Sequence, residues 1–64
     1  MRYKEIKVKD KRFKAKLEQE DGMWFASVSS MEHQIFINDI RGRNPERAIS
    51  WLKVEIASEL SYND

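Results

Sequence analysis

The chain has 64 residues, 41% hydrophobic and 36% charged, with two Gly, one Pro, one His and no Cys. A single small domain fits that length, and such a chain buries only about 60% of the surface its unfolded form exposes, so a second copy or a partner would add useful stability. No disulfide framework, thiol nucleophile or cysteine zinc site can be built, and one histidine cannot make a two-histidine metal site.

Neither a signal peptide nor a membrane span is expected: charge falls early, at Arg2, Lys4, Glu5 and Lys7, and apolar runs stay short. The expected location is the cytoplasm. The formal net charge of +1 conceals an asymmetry. Up to Lys16, eight cations face only Glu5 and Asp10, a net +6, whereas from Leu17 onward four cations face nine carboxylates, a net −5. A charge dipole of this kind steers a polyanion toward one face or favours head-to-tail docking of two copies.

In chain order, Ile6 and Val8 alternate with Glu5, Lys7 and Lys9 as in a half-buried strand, and Asp10-Lys11 is the expected turn. Phe13, Ala15 and Leu17 then alternate with Arg12, Lys14, Lys16 and Glu18, a strict period of two that predicts a second, antiparallel strand. Asp21-Gly22 is a hairpin signal, and Met23 to Val28 supplies the aromatic and β-branched residues of a third strand. Ser29 to His33 reads as a loop and Gln34 to Ile40 as a fourth strand, of ambiguous facing, at an edge or paired with another copy.

Asn44-Pro45 then places a capping residue before a proline at the first helical position, with Glu46 in the first turn. Ile49, Leu52, Ile56 and Leu60 fall on one stripe, so the helix runs to about Leu60 and residues 61–64 form a fraying polar end. The predicted fold is α+β, an antiparallel sheet of three to four strands with one C-terminal helix packed on one face.

Alternation sends Tyr3, Lys7, Lys9, Arg12, Lys14 and Lys16 to the sheet face away from the helix, joined by an aromatic from Trp24, Phe25 or Phe36. Cations for phosphates and aromatics for bases are what single-stranded RNA requires, although outward lysines also serve solubility alone. On the helix, Trp51 lies about 160° and Val54 about 140° from Ile49, both off the core side, with Arg47 one turn before Trp51. Trp51, Val54 and Arg47 therefore form a candidate protein interface, to a homodimer mate or another protein.

Catalytic candidates are confined to His33, Glu32, Asp39 and the hydroxyls of Ser27, Ser29 and Ser30, with no glycine-rich nucleophile turn or phosphate loop beside them. His33 reads as an exposed loop residue, and Asp21 and Asp39 fall at the start of one expected strand and the end of another, where two acids rarely converge on a divalent ion. A non-enzymatic module that binds a protein partner or a second copy of itself is expected, with single-stranded RNA binding through the basic sheet face as the alternative, and with no cofactor, metal, membrane or small-molecule substrate.

The stretches Glu20-Asp21-Gly22-Met23-Trp24-Phe25-Ala26 and Gly42-Arg43-Asn44-Pro45-Glu46-Arg47-Ala48-Ile49 resemble the HicB-like antitoxin family. The resemblance implies a partial RNase H-like fold without its catalysis, acting as a dimerising module that binds and blocks a small ribonuclease toxin. Where that family has a Pro-rich or acidic loop ending in Gly, this chain has Ser29-Ser30-Met31-Glu32-His33-Gln34, and the DNA-binding segment of many members has no counterpart in this sequence.

Overall fold

In the computed structural model, which describes residues 2–62, the first hairpin joins β1 (Arg2–Val8) to β2 (Lys11–Glu20). Val8 pairs with Lys11, leaving Lys9 and Asp10 as the two-residue turn, at φ 51° and 65°. Two successive positive φ values define the turn whose twist matches that of the flanking strands. The turn thus sits one residue earlier than Asp10-Lys11, because Lys11 is already in the ladder.

The second hairpin, between β2 and β3 (Met23–Ser30), turns at Asp21-Gly22 with φ 52° and 79°, the same backbone solution with its preferred residues. After β3 the chain turns through Met31 to Gln34, where the Gln34 N–H donates to the Met31 carbonyl at 3.3 Å. β4 (Ile35–Gly42) then pairs antiparallel with β3. The four strands lie in the order β1-β2-β3-β4, so β4 is an edge strand.

β4 carries a bulge. Ala26 pairs with Ile40 and Val28 with Ile37, so Asn38 and Asp39 together oppose Ser27. Asp39 takes φ 58°, and its N–H donates to Ser27 Oγ at 3.1 Å. The extra residue shifts the alternation by one, so that Ile35 and Ile37 before the bulge and Ile40 after it all turn toward the core.

The helix α1 (Pro45–Tyr62) starts as its sequence requires: Asn44 Oδ1 accepts from the Arg47 N–H at 2.8 Å, and the Ala48 N–H donates to the Asn44 carbonyl at 3.1 Å. It extends two residues past Leu60 to Tyr62; the remainder of the expected fraying end, residues 63 and 64, lies outside the described residues. Its buried stripe is Ala48, Ile49, Leu52, Ile56 and Leu60. These pack on Ile6, Val8, Phe13, Ala15, Leu17, Ala26, Val28 and Ile35 in one core, and no buried side-chain polar atom among the described residues lacks a partner.

This is an α+β fold with a four-stranded antiparallel sheet and one helix. A single helix covers one sheet face, so the other stays exposed along its length. Among the described residues no helix is long and apolar enough to cross a membrane.

Candidate nucleic-acid interface

The register assigns the uncovered face. Tyr3 pairs with Lys16, Glu5 with Lys14 and Lys7 with Arg12, each pair one position out of step with the buried Ile6–Phe13 pair and therefore on the opposite side of the sheet. Lys16 pairs in turn with Ser27, so Tyr3, Lys16 and Ser27 form one row across three strands. That row runs into Asn38 at the β4 bulge.

Around it lies a shallow depression lined by Tyr3, Lys14, Lys16, Ser27, Ser29 and Asn38, with a little of Val28 at its floor. Across three strand spacings the row spans roughly 14 Å. Tyr3 is 56% exposed, and the Lys14 ammonium stands 4.9 Å from its ring centroid. The pairing preorganises a cation beside an aromatic face. Phe36, 53% exposed and paired with Ser29, adds a second ring to the same face.

Of Trp24, Phe25 and Phe36, from which one aromatic was expected on the basic face, Phe36 supplies it; Phe25 lies on the same sheet face but among Glu18, Glu20 and Asp39. Trp24 faces the helix side, packed against the core, with the Arg2 guanidinium 4.8 Å from its ring. Lys9 also departs from expectation: it sits in the turn, and its ammonium bonds Ser61 Oγ near the end of α1. Positive φ in the hairpin turn takes Lys9 out of the alternation that the strand pattern assumed. Lys7, Arg12, Lys14 and Lys16 remain as the cations of the open face.

The face is electrostatically two-ended. Toward the Asp21-Gly22 turn, Glu18, Glu20 and Asp39 surround Phe25 in a separate depression. Lys16 lies 3.6 Å from Glu18 and Lys7 4.0 Å from Asp10. Such exposed pairs are worth at most about 1 kcal/mol, so a polyanion displaces them at small cost.

Trp51 and Val54 are 52% and 54% exposed on the outer side of α1, three residues apart. Trp51 leans toward the end of β4, where it lines a cleft with Met23, Arg41, Gly42, Arg43 and Arg47. Arg47 lines this cleft with Trp51, whereas Val54 does not. Arg41 and Arg43, which no periodicity singles out, join them there because the chain reverses between β4 and α1.

His33 is not an exposed loop residue. Its side chain is 19% exposed, and its ring packs on Phe13 at a centroid distance of 4.9 Å and an interplanar angle of 58°. The short turn between β3 and β4 presses it onto the edge of the core. Its Nε2 lies 3.7 Å from Glu32, and its backbone N–H donates to Ser30 Oγ at 3.3 Å. Among the described residues no three His, Cys, Asp or Glu side chains cluster as a metal site would need.

Neither known protein families, curated proteins nor solved structures contain a match to this chain.

Proposed function

We propose that this protein is a non-enzymatic binding module that holds single-stranded RNA on its uncovered sheet face. The observation that carries the reading is the row Tyr3–Lys16–Ser27 with Lys14 beside it: an aromatic ring, two ammonium groups and a hydroxyl line one open depression. Lysines neutralise phosphates, Tyr3 and Phe36 offer stacking surfaces, and Ser27, Ser29 and Asn38 present hydrogen-bonding groups to base edges and ribose hydroxyls. The aromatics set this face apart from one made only to stay soluble.

The test is the affinity of a fluorescently labelled oligouridylate by anisotropy across a salt series. Each phosphate contact adds roughly −0.7 to the slope of log affinity against log salt, so three or four contacts give a slope of about −2 to −3. Lys14→Glu with Lys16→Glu should weaken binding by about tenfold or more and reduce the slope by about 1.4. Unchanged affinity in that variant would reject the reading.

A second reading has its own observation, the two half-exposed apolar residues Trp51 and Val54 on the outer side of α1. There the module would bind a protein, a second copy of itself or, following the resemblance to HicB-like antitoxins, a small ribonuclease. Tryptophan and arginine are favoured at interface hot spots, and Arg47 stands beside Trp51. Light scattering on the natural protein and on Trp51→Ala, at low and high salt, separates the readings. A dimer that survives salt and dissociates in the variant favours the helix interface, and a monomer in both removes self-association.

A further inference from the structure

The cleft at the start of α1 differs in chemistry from the open sheet face. Three arginines line it, Arg41 from the end of β4, Arg43 from the connection that follows and Arg47 from the first turn of α1. What brings them together is the approach of Gly42 to Ala48, which seats the end of the strand directly on the helix. Among the described residues none of the three makes an ion pair.

Three like charges held in one depression of about 360 Å³ repel one another, and an anion between them would relieve that repulsion. Planar guanidinium forks match phosphate oxygens two at a time, which ammonium groups cannot do. The indole of Trp51, 52% exposed, forms a wall of the same cleft. A phosphate beside an exposed indole describes one ligand class, in which an anionic group is joined to a flat aromatic ring.

We propose that this cleft is a nucleotide-binding site in which Arg43 and Arg47 hold the phosphates and the base stacks on Trp51. Arg41, which also borders the neighbouring depression containing Asp39 and Glu55, closes the strand side. The site is independent of the sheet face, because none of its lining residues belongs to the Tyr3–Lys16–Ser27 row. A free nucleotide and the phosphorylated end of a strand share this chemistry.

The chain has two tryptophans, so Trp24→Phe leaves Trp51 as the only indole emitter. ATP and a 5′-phosphorylated oligoadenylate are titrated separately into that protein. Should the substitution disturb folding, the Trp51 indole N–H resonance of the unaltered chain gives the same readout. Saturable quenching by ATP assigns a free nucleotide, and quenching by the oligonucleotide alone assigns a strand end. In either case Arg43→Ala with Arg47→Ala should raise the half-saturating concentration by about tenfold or more. Lys14→Glu with Lys16→Glu should leave ATP binding unchanged, so failure here and failure at the sheet face are distinguishable. The proposal is overturned if neither ligand perturbs Trp51 at millimolar concentration, if the arginine variant binds as tightly as before, or if polyglutamate binds as tightly as ATP, which would make the cleft an acidic-protein contact.

Discussion

Gly42 and Ala48 are in such close approach that a Cβ on Gly42 would stand 2.4 Å from the Ala48 amide nitrogen and 2.8 Å from its Cα. The obstacle is helix backbone, which cannot swing aside as a side-chain tip can. This contact fixes where α1 begins relative to β4, and with it the grouping of Arg41, Arg43, Arg47 and Trp51.

Gly42→Ala should therefore destabilise the fold by about 3 kcal/mol, the upper range for forced overpacking. With roughly 3–10 kcal/mol available to a chain of this length, the loss is large. Urea denaturation followed by circular dichroism measures it. A change below about 0.5 kcal/mol would mean that the strand end and the helix separate easily.

At the first turn the sequence is poorer than the backbone it adopts. Lys9 and Asp10 both sit at positive φ, where glycine is favoured at the second position and Asp21-Gly22 already supplies it in the other hairpin. Asp10→Gly should stabilise by about 0.5–1 kcal/mol, because the strain removed exceeds the entropy that glycine adds to the unfolded chain. The Lys7–Asp10 pair that is lost is fully exposed on the Asp10 side and contributes little. A lowered urea midpoint would contradict the turn geometry.

Asn44→Ala removes the acceptor of the Arg47 N–H at the start of α1. The expected cost is about 1 kcal/mol, with Asn44→Ser or Asn44→Asp retaining most of the stability. Thermal unfolding of the three variants checks the order.

Leu52 is fully buried where α1 meets the sheet. Leu52→Ala should cost about 2–5 kcal/mol, enough to populate the unfolded chain substantially at 37 °C. Hydrogen exchange in β2 and β3 should accelerate together with that in α1, since one core joins them. Acceleration confined to the helix would show that the sheet persists without it.

The fold was legible where periodicity was clean. Phe13, Ala15 and Leu17 announce a half-buried strand, Asp21-Gly22 a hairpin, and Asn44-Pro45 with the Ile49, Leu52, Ile56 and Leu60 stripe a capped amphipathic helix. β4 was ambiguous for a physical reason: the bulge at Asn38 and Asp39 inserts one residue, so Ile37 and Ile40 share a face despite their odd spacing. Lys9 leaves the open face because a turn residue at positive φ no longer follows strand alternation. Local polarity hides the burial of His33, whose contact is with Phe13, a residue twenty positions away. Arg41 and Arg43 carried no signal by spacing alone; only the reversal between β4 and α1 brings them to Trp51.

The most direct test of RNA binding on the sheet face is to map the bound surface by amide and side-chain chemical shifts as an oligouridylate is titrated into the labelled protein. Shifts are expected at Tyr3, Lys14, Lys16, Ser27 and Ser29, with Lys53 and Val54 unmoved. Saturating RNA that leaves the Tyr3–Lys16–Ser27 row unmoved and shifts the outer side of α1 instead would contradict it.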